Sequence, residues 1–264
     1  MLRALVIACC VLIGEGAMAA DTQAVSIPED GLALNATLAL PASSPVAPAV
    51  VALHGCGGPF PRRDQQWERL LADAGHPAVF PDSFGSRGLG SQCRVSQRTI
   101  RPSRERRADA VATVNWVHQQ PWAPRGGVVV MGWSNGGSTV LAAAAQGVMP
   151  AGAVRGFIAF YPGCRGFTRR QDWAPSAPLL ILMGADDDWT PAEPCRTLAA
   201  RFPDRITLVT YPGAYHDFDV PDYPVRERSG LAYTADRQGN AHAGTNPAAR
   251  EDAIRRVMAF LQGS

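Results

Sequence analysis

The chain has 264 residues, is 46% hydrophobic and 18% charged, and carries a formal net charge of +2. That balance excludes a disordered chain and a general polyanion binder, so nucleic acid is not expected as a partner, and the length allows one large buried core. All 25 basic residues are arginine, which reads as a compositional bias rather than as chemistry.

Residues 1–19 have the grammar of a secretory signal. Arg3 supplies the positive start, residues 4–13 are an apolar run too short to span a bilayer, and Ala17-Met18-Ala19 is a small-x-small cleavage site. The mature chain is expected to begin near Ala20, to form a single domain over residues 20–264, and to be periplasmic or secreted with no membrane attachment after cleavage. Cys9 and Cys10 leave with the signal, and the four that remain, Cys56, Cys93, Cys164 and Cys195, are an even number in an exported protein. Two disulfides are the expected use. Of the three connectivities, placement on the predicted fold favours Cys56 with Cys93 and Cys164 with Cys195. No two of them have the short spacing of zinc ligands, so no metal is expected.

Residues 24–27 and 32–40 read as two strands joined by the turn Pro28-Glu29-Asp30-Gly31. Residues 49–53 are a wholly apolar strand ending on His54-Gly55-Cys56-Gly57-Gly58. A helix over residues 63–74 and a strand over 78–80 follow, then a loop containing Phe84 and Arg87. Arg94, Arg98, Arg101, Arg104, Arg106 and Arg107 crowd the next stretch, read as a solvated loop and helix start, with a patch for an anionic substrate as the alternative. Ser103 is positioned to cap a helix running to His118, whose inner stripe is Ala108, Val111, Val114 and Val117. Further strands are expected at 128–133, 156–161, 178–183 and 206–211, and helices at 135–146, 191–202 and 247–261. Residues 223–246 are polar, without period, and read as a long surface loop. Strand and helix alternating from residue 49 onward imply an α/β fold with a mainly parallel sheet covered on both faces.

The most informative stretch is Val128-Val129-Val130-Met131-Gly132-Trp133-Ser134-Asn135-Gly136-Gly137. A buried strand runs straight into Gly-x-Ser-x-Gly and then into an Ala-rich helix, the setting of a nucleophile elbow. A serine hydroxyl is a poor nucleophile at neutral pH, so Ser134 needs a base, and the base needs a carboxylate to orient it. His216, just beyond the last strand, is the expected base; His54 is expected to fix its own loop, while His76, His118 and His242 read as surface or helix-end residues. In Gly184-Ala185-Asp186-Asp187-Asp188-Trp189-Thr190-Pro191 the expected acid is Asp187, with Asp186 and Asp188 as caps or loop contacts. The oxyanion donors are expected to be the backbone amides of Asn135 and Cys56, with Gly55 or Gly57 as alternatives to the latter. Phe84, Arg87, Trp133, Tyr161, Trp189 and Tyr215 are the candidate substrate contacts, Arg87 as a partner for a substrate carboxylate.

The elbow, the Gly184-x-x-Asp187-x-x-Thr190-Pro191 loop and Tyr211-Pro212-Gly213-Ala214-x-His216-x-Phe218 together resemble the dienelactone hydrolase family of α/β-hydrolases over nearly the whole mature chain. The resemblance implies a compact α/β-hydrolase fold of about eight strands with little or no cap, acting without metal or cofactor on a small-molecule ester or lactone. Enzymes acting on true dienelactones carry cysteine at the elbow, where this chain has Ser134, so the expected reaction is the cleavage of carboxylic esters or lactones more broadly. An acyltransferase with the same triad and a non-catalytic binding protein on this fold are the alternative functions. Neither residues nor resemblance point to an oligomeric state.

Overall fold

The first strands, β1 (Asp21–Glu29) and β2 (Leu32–Leu40), pair antiparallel from Asp21 opposite Leu40 to Glu29 opposite Leu32. The computed structural model describes residues 21–263, so the expected signal at residues 1–19 lies outside the described residues. Continuing along the chain come β3 (Ala49–Leu53), α1 (Pro61–Asp73), β4 (Ala78–Pro81), α2 (Glu105–His118), β5 (Val128–Trp133) and α3 (Asn135–Ala143). They are followed by β6 (Val154–Phe160), α4 (Arg165–Thr168), β7 (Leu179–Gly184), α5 (Glu193–Arg201) and β8 (Ile206–Tyr211). A short pair, β9 (Arg226–Arg228) and β10 (Ala241–Ala243), precedes the last helix, α6 (Pro247–Gly263).

Eight strands make one sheet in the order β1-β2-β4-β3-β5-β6-β7-β8. β2 meets β4 antiparallel, and from β4 to β8 every neighbouring pair is parallel. β3, β5 and β7 are buried along their whole length, which is why their sequences are unbroken apolar runs instead of alternating ones. This is the α/β architecture expected from the alternation of strand and helix.

Helices cover both faces. On one, α1 and α6 are joined by Arg250, whose Nε donates to Gln66 Oε1 at 2.9 Å, and Trp67 of α1 lies fully buried against Trp133 and Phe160. On the other, α2 packs against α3. Disulfides join Cys56 to Cys93 and Cys164 to Cys195, the second tying the start of α4 to α5. Among the described residues no helix is long and apolar enough to cross a membrane.

Several local expectations are corrected. Ser103 does not cap α2: the helix begins at Glu105, and the Glu105 carboxylate accepts the Arg101 N–H at 2.8 Å. α3 stops at Ala143 rather than 146, and the Gln146 N–H bonds instead to the Ala174 carbonyl at 3.1 Å. His76 stands at a helix end, its N–H bonding to the Leu71 carbonyl of α1 at 2.8 Å, but it is buried, and its ring meets the Pro48 carbonyl at 2.9 Å. Residues 223–246 are not a free surface loop. Besides pairing β9 with β10 they donate from Ala232 to the Cys93 carbonyl, from Ala235 to the Asp188 carbonyl and from Gly244 to the His216 carbonyl. These bonds run to distant parts of the chain, so they leave no period in the segment's own sequence.

Candidate active site

β5 occupies the middle of the sheet, between β3 and β6, so the turn after it emerges at the centre of the carboxyl edge, where open α/β sheets place their ligands. Leu53 of β3 is in register with Gly132 of β5, which brings the loop after β3 beside the turn after β5. Ser134 stands on that turn with φ 55° and ψ −112°, a conformation that L-residues adopt only when the surrounding structure enforces it. What enforces it is close approach. A Cβ on Gly132 would lie 2.7 Å from the Gly136 backbone, and one on Gly136 would lie 2.0 Å from the Leu53 carbonyl oxygen.

His216 Nε2 lies 2.9 Å from Ser134 Oγ, and His216 Nδ1 lies 2.8 Å from Asp187 Oδ2. With Nδ1–H donating to the carboxylate, Nε2 is the acceptor for the serine hydroxyl. Of the three adjacent aspartates only Asp187 reaches His216. Its other oxygen, Oδ1, accepts the backbone N–H groups of Trp189 and Thr190 at 2.9 and 2.8 Å, so the loop itself orients the carboxylate. Asp188 turns away to hold His242, through the ring at 2.8 Å and the backbone N–H at 2.7 Å. Asp186 is exposed. Burial drives the His216 pKa down, but the Asp187 charge and hydrogen bond outweigh it, and the ring stands above the ordinary histidine value.

The Asn135 amide opens α3, where first-turn N–H groups have no carbonyl beneath them. Cys56 sits in the loop after β3, and both residues line the same cleft as Ser134. His54 holds that loop: its Nδ1–H donates to the Gly55 carbonyl at 2.7 Å and its Nε2 accepts the Ser83 N–H at 3.0 Å. Burial, reinforced by the nearby Arg106 charge, lowers the His54 pKa well below the usual histidine value, so the ring is neutral. Ser134 lies where two clefts meet, one of about 680 Å³ and one of about 330 Å³, and Cys56 and Trp189 border both.

The candidate substrate contacts divide sharply. Trp189 borders both clefts, and its ring centroid is 4.7 Å from that of His216. Trp133 and Tyr161 are fully buried beneath the site, Phe84 packs against His54, and Tyr215 packs against His242. Arg87 is corrected outright as a free cation for substrate. Its guanidinium takes both oxygens of the buried Asp109 at 2.7 and 3.0 Å, Glu29 at 3.1 Å and the Ser83 carbonyl at 2.8 Å.

Three residues at the site have roles that the sequence reading did not assign. Thr190 Oγ1 lies 3.1 Å from Asp187 Oδ2 and 3.0 Å from the Tyr161 carbonyl. Asp219, fully buried, accepts from Trp67 Nε1 at 3.2 Å, Trp133 Nε1 at 2.9 Å and the Tyr161 hydroxyl at 2.6 Å. It thereby anchors the His216 loop to the residue preceding Ser134; burial raises its pKa, while the Arg63 charge opposes the rise. An aspartate inside the apolar Phe218-Asp219-Val220 was the available signal. The third is Arg106, buried between the Asn135 side chain and the His54 carbonyl. Among the described residues no three His, Cys, Asp or Glu side chains are placed to hold a metal ion.

A family model described as the dienelactone hydrolase family matches residues 34–264. No curated protein matches the sequence. Solved structures do. A Klebsiella pneumoniae protein assigned as a dienelactone hydrolase aligns with TM-score 0.70 and 19% identity, covering 94% of this chain and 100% of that one. The dienelactone hydrolase of Anabaena variabilis aligns with TM-score 0.65 and 16% identity over 93% and 99%. P91, a dienelactone hydrolase-like promiscuous phosphotriesterase from metagenomic libraries, aligns with TM-score 0.67 and 20% identity over 92% and 99%. At such identities the structural likeness speaks for the fold alone.

Proposed function

Because this chain belongs to the dienelactone hydrolase family, we propose that it is a serine hydrolase of carboxylic esters or lactones. Ser134 is the nucleophile, His216 the base, Asp187 the residue that orients His216, and the Asn135 and Cys56 amides are the oxyanion donors. The observation that carries this reading is the unbroken chain of hydrogen bonds from Ser134 Oγ through His216 to Asp187, with Ser134 held at positive φ at the junction of two clefts.

The Ser134 oxygen bonds to the carbonyl carbon as its proton passes to His216 Nε2, and the carbonyl oxygen becomes an alkoxide facing the two amides. Collapse of this intermediate breaks the bond to the leaving alcohol, which takes the proton from His216, and an acyl group remains on Ser134. Water then repeats the sequence, giving its proton to His216 and its oxygen to the acyl carbon, and the acid departs as Ser134 is reprotonated. A lactone follows the same steps and opens to a hydroxy acid.

The larger cleft supports a narrower substrate. Arg98, Arg101, Arg165, Arg170 and Arg237 border it from three separate stretches of chain, and among the described residues no carboxylate does. Among the described residues Arg170 has an ion-pair partner, Asp172 at 3.3 Å, and Arg101 feels the charge of Glu105. An acyl or alcohol part bearing a carboxylate suits such a border. The two disulfides agree with an exported protein, periplasmic or secreted.

The test is turnover of p-nitrophenyl esters of increasing acyl length, with and without a terminal carboxylate, by the oxidised protein beside Ser134→Ala. The expected result is hydrolysis that falls by about four orders of magnitude or more in the variant, with a preference for acidic esters that added salt weakens. Turnover that survives in Ser134→Ala would sink the assignment.

A further inference from the structure

Six arginines crowd residues 94–107, and one of them is turned inward. Arg106, in the first turn of α2, is 1% exposed. Its Nη1 donates to Asn135 Oδ1 at 2.5 Å and its Nη2 to the His54 carbonyl at 2.8 Å, while the guanidinium lies over the Phe84 ring, 5.0 Å from the centroid. Its Nε has no partner among the described residues. Among the described residues no carboxylate hydrogen-bonds to it, and Arg87 takes both oxygens of Asp109, the acid one turn further along α2. Burial pulls its pKa down to about 9, against the opposing charge of Asp109.

A cation buried with only neutral acceptors is costly, and a leucine or methionine would fill such a space more cheaply. The two acceptors it reaches are informative. Asn135 carries one proposed oxyanion amide on its own backbone, and His54 lies two residues before Cys56, which carries the other. Those amides come from different segments, the head of α3 and the loop after β3, and their spacing must match a single oxygen atom.

We propose that Arg106 is a positioning residue for the oxyanion hole. Its guanidinium spans the loop after β3 and the head of α3, sets the separation of the Cys56 and Asn135 amides, and keeps a buried positive charge behind the place where the acyl oxygen becomes negative. This rests on the ester-hydrolase reading of Ser134.

The experiment compares wild type, Arg106→Met and Arg106→Lys, each with disulfides formed and folding checked by circular dichroism. It measures kcat and KM on an ester cleaved by the wild type, and inhibition by a trifluoromethyl ketone, whose adduct with Ser134 carries an oxyanion. In Arg106→Met, kcat is expected to fall about 10- to 100-fold with KM within about twofold, and the ketone to weaken by the same factor as kcat/KM. Arg106→Lys, which keeps charge but not the fork, is expected to fall between. An unchanged kcat in folded Arg106→Met overturns the proposal, as does a lower kcat with undiminished ketone affinity, the mark of a merely structural residue. If neither variant folds, Asn135→Ala decides: it keeps the backbone amide and Arg106 and deletes only the tie, so a kcat and ketone affinity equal to wild type overturn the proposal, and a parallel loss supports it. Fluorophosphonate labelling of wild type and Ser134→Ala runs alongside. Labelling that does not depend on Ser134 overturns the hydrolase reading itself, and the inference with it.

Discussion

Replacing Gly136 by alanine isolates the contact that shapes the elbow. The added Cβ would sit 2.0 Å from the Leu53 carbonyl oxygen, 2.5 Å from that of His54 and 2.7 Å from the Leu53 carbonyl carbon. All three are backbone atoms, so no side chain can swing aside. Ordinary carbon contacts are about 3.5–4.0 Å, and relief therefore requires the head of α3 to draw back from the end of β3 by more than about 1 Å. That displacement moves the Asn135 amide away from Cys56, and a misplacement of this size costs about 100-fold in rate. Overpacking of well-filled cores costs about 1–3 kcal/mol, and rigid neighbours place Gly136→Ala at the upper end. For a chain of this size that lowers Tm by about 6–12 °C. Gly166, on α4 and bordering the same cleft, would meet nothing within 4 Å on gaining a Cβ, so Gly166→Ala is the matched control and should change stability by less than about 1 kcal/mol. Thermal unfolding and ester turnover read both variants. A Gly136→Ala protein with wild-type Tm and kcat/KM would refute the reasoning, because the clash would then have been absorbed somewhere the geometry does not provide.

The base must be neutral to accept the serine proton, and the Asp187 charge holds the His216 pKa above 6.5. Activity should therefore be lost as pH falls through a value above 6.5, and Asp187→Asn should shift that limb of the kcat/KM profile downward while lowering its plateau; a limb that stays in place would show that some other group titrates. Asp219→Leu leaves two indole N–H groups and a tyrosine hydroxyl buried without their acceptor, at about 1–3 kcal/mol each though not additively. A loss of at least about 3 kcal/mol in guanidinium unfolding is expected, and a change under about 1 kcal/mol would mean that the network is not structural. Arg87→Gln strips the buried Asp109 of its bidentate partner, so it should destabilise by about 3–5 kcal/mol and leave selectivity for acidic esters unaltered. A change of selectivity at full stability would return Arg87 to the substrate.

How much of this was legible beforehand depended on whether the determining contacts were local. β3, β5 and β7 announced themselves as apolar runs, because a strand buried on both faces has no polar side to show. The elbow was equally legible, since strand, glycines, serine and helix are consecutive. Ser134, Asp187 and His216 could be proposed from their places after strand ends, because a parallel sheet delivers the turns after its strands to one edge. Other features depended on partners far along the chain. Residues 223–246 looked featureless because the Cys93, Asp188 and His216 carbonyls that hold them lie elsewhere in the sequence. Arg87 and Arg106 are chemically identical as letters; one read as a partner for a substrate carboxylate and the other as part of a solvated cluster. What separates them is that both Asp109 oxygens bond to one and not the other, so Arg87 closes an ion pair while Arg106 is left to bond the neutral acceptors of the loop after β3 and the head of α3. Period and motif are properties of neighbouring residues and can be read along a line; the partner of a buried charge is decided only when the folded chain brings distant segments together.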